Sequence, residues 1–539
     1  MDDILPVIES CPHCPDVGNV PNKKLQRCYL VYHEPCDESV CCSSNVEEIP
    51  LCDSCRHMRL WHIVCCLDEQ TRDWEEINLR GRCQEMSDPD TDCPLCQVIN
   101  TAVGTAYDFE TDPLDSSLCT RLLDTSKDAI DSQDCNFSAA IIRMYHREDG
   151  THRPGDTCGQ LEITIGDTNS DVPRIGQWVN WGVLKGAIRN DRNSNADRRH
   201  QDMELKDLES RFRVIDVANR CIRTVKNCNY AALSYVWGAD RETSLVALKR
   251  NIEELRVKGS LSDAILPRTI ADAIKVCEQL EQEYLWVDRL CVIQDDAKDK
   301  ARQIGMMGKI FSSAGLVIAA AHGDSMNSGI PGVGHPRRAR QQTVPLPGLT
   351  VTNVVRGRVE EPLEVWRTRG WKYQEAVLAR RLLLFYETRV VYEGVQYTES
   401  EDRFDRVAFP QYRIFYETPS ATGNPWSIFD YARHVQNYAA RSLPFQIDTY
   451  AAFNGITQAL FGQKSTHFAL PLLHFNRALR WYTSRHVSKS FARDFGGVCF
   501  PTWSWTSMMN QECIIEFAEH GYYGSLVAWY KLTKRYSIL

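Results

Sequence analysis

Nowhere in the chain do eighteen consecutive apolar residues occur, and the acidic start Met1-Asp-Asp-Ile has neither the basic region nor the apolar core of a secretory leader. The expectation is a cytoplasmic protein with no membrane partner. Two phosphate-binding signatures are missing as well. Without Gly-x4-Gly-Lys-Ser/Thr or Gly-x-Gly-x2-Gly there is no sign of a nucleoside-triphosphatase loop or of a dinucleotide fold. Positive charge is in deficit, with 62 Lys and Arg against 71 Asp and Glu and a net charge of -9, which argues against nucleic acid as a partner. Cysteine is sparse over most of the chain, because 13 of the 22 fall within the first 96 residues.

That clustering is the first positive signal. In a reducing compartment disulfides do not persist, so cysteines at two-residue spacing read as metal ligands. Zinc takes four tetrahedral sulfur or nitrogen ligands, and a Cys-x2-Cys pair places two thiolates on one knuckle. Three such pairs are present, Cys11/Cys14, Cys52/Cys55 and Cys93/Cys96, with His33/Cys36 and His62/Cys65 at the same spacing. One set could join Cys11 and Cys14 to two of Cys28, His33, Cys36, His62 and Cys65. Cys41, Cys42, Cys66 and Cys83 read equally well as small buried hydrophobes. The ligand order does not match a cross-braced RING-like ligase module. A structural zinc, stabilising a segment too poor in apolar residues to fold unaided, is the expected cofactor.

Composition shifts divide the chain into a Cys-rich zinc-binding segment (1–100), a connecting subdomain of unassigned role (101–205), an α/β block (206–400) and an aromatic-rich C-terminal extension of mixed α+β character (401–539). Residues 159–165 alternate as a strand does, whereas 189–200 form a polar run expected to be loop. In the α/β block, strands are expected over 230–236, 284–287 and 315–321, with helices over about 266–281 and 298–313. Residues 451–460 are the clearest helix of the extension.

Strands of a parallel sheet are buried on both faces, and ligands bind at their carboxyl ends. Tyr230-Ala-Ala-Leu-Ser-Tyr-Val-Trp-Gly238 and Tyr284-Leu-Trp-Val-Asp-Arg-Leu-Cys-Val-Ile-Gln294 are apolar runs that end in polar groups. Ser234, Tyr235, Asp288 and Gln294 are therefore candidate site residues. Asp288 could instead be a structural partner of Arg289, Arg369 or Arg380. Cys291, inside an apolar run, reads as an inert thiol rather than a nucleophile.

These two runs resemble the Leu-Ser-Tyr-x-Trp-Gly and Trp-Ile-Asp-x-Leu-Cys-Ile-x-Gln motifs of the fungal heterokaryon incompatibility (HET) domain. Further motifs follow in the family's order: Leu266-Pro-Arg-Thr-Ile-Ala-Asp-Ala-Ile274, residues 307–314 with Ile318-Ala-Ala320, Arg369-Gly-Trp-Lys-Tyr-Gln-Glu375, and Arg380-Arg-Leu-Leu383. Arg213-Val-Ile-Asp-Val217 is similar to the family's lead-in, and residues 451–460 and Pro501-Thr-Trp-Ser-Trp505 to its C-terminal extension. The pairs Cys52/Cys55 and Cys93/Cys96 resemble pairs found upstream of HET domains, which implies that they share one zinc.

HET domains in turn resemble Toll/interleukin-1 receptor (TIR) domains. The resemblance implies a small parallel sheet with flanking helices, preceded by the zinc module and followed by the extension. The TIR first strand ends in a Ser-Tyr pair, matched by Ser234-Tyr235. The Trp-Cys-x-x-Glu helix start of NAD-hydrolysing TIR domains is matched by Trp371-Lys-Tyr-Gln-Glu375, with lysine in place of cysteine and about fifty residues inserted before it. By this resemblance Glu375 would be the catalytic carboxylate and NAD the substrate. Asp288 would orient a ribose, Ser234 and Gly238 would approach phosphates, Trp237 or Trp371 would stack on a ring, and Tyr235 and Gln294 would complete the site. A bland reading makes Glu375 an exposed helix-start carboxylate favoured by the macrodipole. The function implied is an effector of nonself recognition ending in programmed cell death. It would self-associate through the HET block and answer to an unidentified upstream recognition protein. Two alternatives stand beside it: a noncatalytic signalling module, and a zinc-dependent binding module with the HET block as scaffold.

Overall fold

The computed structural model describes residues 77–78, 92–104, 117–124, 138–147, 157–165 and 175–192, and residues 212–401 apart from 227, 239–243, 338–340, 347–348, 354–364 and 396–397. Toward the C-terminus it describes 428–443, 446–462, 466–483, 500–501, 503–507 and 513–515. The expected zinc ligands Cys11, Cys14, Cys36, Cys52, Cys55, His62 and Cys65 lie outside the described residues. Cys93 and Cys96 are described. Both are buried at the start of helix α1 (Pro94–Gly104), which packs on strands β4 and β11 defined below. Among the described residues no three His, Cys, Asp or Glu side chains converge as a metal site.

Strands β1 (Ile77–Asn78), β2 (Ser117–Asp124), β3 (Ser138–Arg147) and β4 (Thr157–Ile165) form an antiparallel sheet. The order β1-β2-β3-β4-β11-β10 is completed by β10 (Thr343–Leu346) and β11 (Leu349–Asn353), which come from the fifty-residue insertion. Helix α2 (Trp181–Arg192) runs into the polar stretch expected to be loop. The reason is tertiary. Asp191 is fully buried, accepting from Arg381 Nε at 2.7 Å and the Val395 amide at 2.6 Å, partners 190 and 204 residues away that no local pattern reveals.

The second sheet has eight strands in the order β14-β13-β12-β9-β7-β8-β5-β6. They are β5 (Arg213–Asp216), β6 (Cys221–Thr224), β7 (Ala231–Ser234), β8 (Tyr284–Trp286), β9 (Leu316–Ala320), β12 (Leu382–Phe385), β13 (Val390–Glu393) and β14 (Thr398–Ser400). Four central strands are parallel: β8 and β9 flank β7, and β12 pairs with β9. The small parallel sheet expected from the sequence is thus the core of a larger mixed one, extended by antiparallel strands on both sides. β7 and β9 are buried along their whole length. Each of Leu233, Val317 and Ile318 contributes roughly 1.5–3 kcal/mol by leaving water.

Helices α3 (Arg268–Gln279), α4 (Asp288–Cys291), α5 (Ala297–Gly305) and α6 (Met307–Ser313) link these strands. α3 buries Ile270, Ala273, Ile274 and Cys277 at helical spacing behind Pro267. Asp296 caps α5 by accepting from the Lys298 amide at 3.0 Å and the Asp299 amide at 3.2 Å. The single helix expected over 298–313 breaks at Met306, whose φ of -107° and ψ of 2° leave the helical region just after Gly305.

Helices α7 (Val365–Thr368) and α8 (Gly370–Leu378) lead from the insertion back to β12. In the extension, α9 (Ile428–Ala439) and α10 (Ala451–Phe461) form a separate aromatic core with Trp505, and Tyr373, Val377 and Leu378 of α8 belong to it. α10 crosses α6 at the pair Gly308 and Gly455. A Cβ on Gly455 would stand 2.8 Å from the Gly308 Cα, so side chains at these positions would force the helices apart.

Candidate functional site

Among the parallel strands β7 is central, with β8 reached first on one side and β9 and then β12 on the other. In open α/β sheets such a reversal of winding direction marks the carboxyl edge at which ligands bind. Ser234 is the last residue of β7, and Asp288 opens α4 two residues after β8. α8 lays Glu375 over the same edge. The sequence expectation that Ser234, Tyr235, Asp288 and Glu375 belong together therefore acquires a geometry.

At the centre is Lys372, one turn before Glu375. Its ammonium donates to both Glu375 oxygens at 2.8 Å, and the two side chains are 7% and 2% exposed. Burial pushes the Glu375 pKa up, the charge of Lys372 and the Ser234 hydroxyl pull it back, and Asp288 adds a smaller upward push. Asp288 behaves alike. Burial raises it, while Lys372, the Trp237 indole, the Arg289 amide and Tyr235 oppose the rise. One ammonium thus faces two carboxylates in a desolvated space. A desolvated ammonium facing two carboxylates is an arrangement common to acid–base sites and to structural ion clusters.

The surrounding side chains fix this cluster. Trp366 donates its indole N–H to Ser234 Oγ at 2.9 Å. Trp237 donates to Asp288 Oδ2 at 2.9 Å, and the Arg289 guanidinium lies 5.0 Å above the Trp237 ring while donating to the Ser244 and Leu245 carbonyls. Of the arginines offered as structural partners of Asp288, Arg289 meets it through its backbone amide at 2.7 Å. The Tyr235 ring sits under Lys372 Nζ at 5.8 Å. Its buried hydroxyl is near enough to Asp288 for each to shift the other's pKa, yet outside hydrogen-bond geometry. Burial, then Asp288, pushes that phenol well above its usual 10.

Other sequence candidates stand apart from this centre. Gln294 donates to the carbonyls of Asp288 at 3.0 Å and Val292 at 3.2 Å, closing the loop behind α4. Gly238 has a φ of +75°, and a Cβ there would stand 2.6 Å from Ser325 Cβ, so glycine is required for the 323–328 loop to lie against it. Trp371 turns toward the extension, donating to Asp448 at 3.4 Å. Cys291 is buried with its pKa pushed up to about 12 by desolvation, as an inert thiol should be. Glu375 is not the exposed helix-start carboxylate of the bland reading, because α8 is covered on both sides.

Sequence reasoning missed Lys372 and Trp366. For Lys372 a signal existed, since a lysine three residues before a glutamate faces it on a helix. Trp366 carries no local signal, because its partner Ser234 is 132 residues away.

The model of the family described as Heterokaryon incompatibility protein (HET) matches residues 230–375. A curated relative, Heterokaryon incompatibility protein 6, OR allele, of Neurospora crassa, is 31% identical over 100 residues. That stretch is 17% of this chain and 14% of the relative, so the likeness spans one domain and not the whole protein. No solved structure matches the chain. The matched residues hold β7, β8, β9 and the full Ser234–Asp288–Lys372–Glu375 cluster, and residues 230–375 of the chain are accordingly a HET domain.

Proposed function

We propose that this HET domain is the effector of a fungal nonself-recognition response, heterokaryon incompatibility, that ends in programmed cell death through TIR-like hydrolysis of NAD. The observation that carries the reading is the meeting of Ser234, Tyr235, Asp288 and Glu375 at the carboxyl edge of a doubly wound sheet. The strand order, with the first strand between the second and third, is the flavodoxin-like order and supports the TIR likeness. Nicotinamide in NAD is already a cationic leaving group. The bond between its ring nitrogen and the ribose breaks with both electrons going to nicotinamide, and water adds to the ribose carbon with loss of a proton. The products are nicotinamide and ADP-ribose. Glu375 stabilises the oxocarbenium-like transition state, as carboxylates do in glycoside hydrolysis, and Asp288 with the Tyr235 hydroxyl holds ribose hydroxyls. Trp237 walls the outer side. A structural zinc in the Cys-rich segment, self-association through the HET block and an upstream recognition protein complete the proposal.

One observation favours the noncatalytic alternative, a module that signals by self-association: both Glu375 oxygens are already occupied by Lys372. The discriminating experiment uses the full chain with a clustering tag, beside its Glu375→Gln form, and follows NAD loss and nicotinamide release. Release by the first alone supports the enzyme. Intact NAD with clustered, folded protein in both cases, and in a form whose C-terminal segment no longer holds the Glu375 helix, overturns it in favour of the noncatalytic module.

A further inference from the structure

The helix that carries Glu375 and Lys372 is gripped from its other side by the C-terminal extension, beyond the matched residues 230–375. Five hydrogen bonds contribute to the grip. Gln374 Oε1 accepts from the Gly455 amide at 2.8 Å, the Tyr373 hydroxyl and His434 Nδ1 share a hydrogen bond of 2.8 Å, and the Trp371 indole reaches Asp448. The Gly370 amide donates to the Ser442 carbonyl at 2.8 Å, while the Ser442 amide donates to the Thr368 carbonyl at 2.7 Å. Gln374 and His434 are each 1% exposed, so these bonds are made where water does not compete. Apolar packing reinforces them, since Tyr373, Val377 and Leu378 are buried against α9 and α10.

This grip matters because Glu375 is 1% exposed and holds no oxygen free of Lys372. A substrate reaches it only once an element covering the pair moves, and α8 carries both members of the pair. Lys372 and Glu375 share one face of α8 and the extension holds the opposite face, so a displacement of α8 that draws the carboxylate away from Ser234 must break the contacts to α10 and α9. We infer that the C-terminal extension is an intramolecular latch: it keeps α8 seated and the Lys372–Glu375 pair closed, and the site opens when the extension lets go. The latch rests on the proposed site but not on its chemistry, because it concerns access to Lys372 and Glu375 whatever their ligand.

Two full-chain variants loosen the latch without touching the cluster. Gln374→Ala removes the acceptor of the Gly455 amide. Gly455→Val places a side chain where a Cβ would stand 2.7 Å from Gln374 Oε1 and 2.8 Å from the Gly308 Cα. The readout is acylation of Lys372 by a small amine-reactive ester, located by mass spectrometry, together with hydrogen exchange over residues 370–378 and 231–234. The latch predicts that Lys372 labelling and α8 exchange rise about fivefold or more in Gln374→Ala, the population shift that loss of one buried hydrogen bond brings, while β7 exchange is unchanged. Should Gly455→Val fail to fold, Gln374→Ala decides alone. Unchanged labelling of Lys372 in folded Gln374→Ala overturns the latch. Raised labelling with no NAD loss in any form leaves the latch standing and removes the hydrolase reading, so the two proposals fail separately.

Discussion

Replacing Glu375 by glutamine would remove one charge from a pair whose side chains are 2% and 7% exposed. Stranding a buried ammonium in this way costs about 3–5 kcal/mol. The amide oxygen of glutamine still accepts from Lys372, returning roughly 1 kcal/mol, and Asp288 continues to face the ammonium. A local loss of about 2–4 kcal/mol follows from combining these contributions. Removing both partners together, as in Lys372→Met with Glu375→Leu, leaves no uncompensated charge and should lie within about 1 kcal/mol of the parent. Native-state hydrogen exchange over 370–378 reads the opening free energy where it changes and avoids treating a multidomain chain as two-state. The reasoning is refuted if Glu375→Gln costs less than about 0.5 kcal/mol, the value of an exposed surface change. It is also refuted if the double variant loses the sum of the two singles. The same numbers govern the NAD experiment, since loss of activity in Glu375→Gln implicates chemistry only if α8 is still seated.

Four further outcomes are expected. His434 is buried with its pKa lowered to about 4 by desolvation, so folding keeps it neutral. Its contribution is complete above the unfolded value near 6.5 and is lost as pH falls toward 4, at most about 3 kcal/mol. A His434→Gln chain should show a flatter fall in α9 and α10 protection between those pH values, and an identical slope would exclude His434 as the cause. The Glu375 and Asp288 carboxyls, both raised, act oppositely: above the ordinary carboxylate range the folded cluster holds more proton than the unfolded chain, so its stability should decline as pH rises through that window. Native protein treated with a thiol reagent should leave Cys277 and Cys291 unlabelled until it is unfolded, because burial raises both thiols far above neutrality; rapid labelling would contradict their placement. Reduced, chelator-free full-length protein should contain at least one zinc per chain by elemental analysis, and a lower content would sink the Cys-rich zinc proposal.

The sequence by itself determined the parallel core and the edge on which the candidate residues meet. Ala231-Ala-Leu233 and Leu316-Val-Ile-Ala-Ala320 are apolar without alternation, which suits only strands buried on both faces, and such strands place their polar ends together. The sequence also located α3, by helical spacing behind Pro267, and α10 to within two residues of where they lie. Partners distant along the chain were decided only by tertiary structure. Asp191 helical and buried against Arg381, Trp366 over Ser234, β11 beside β4 and Gly455 against Gly308 all join residues more than a hundred positions apart. Local propensity carries no information about such pairs, because their energy exists only once both elements are in place. Glu375 shows the division most clearly. Its position in the sequence suits an exposed helix-start carboxylate, and only the covering of α8 by the sheet on one side and the extension on the other turns it into a buried ion held by Lys372.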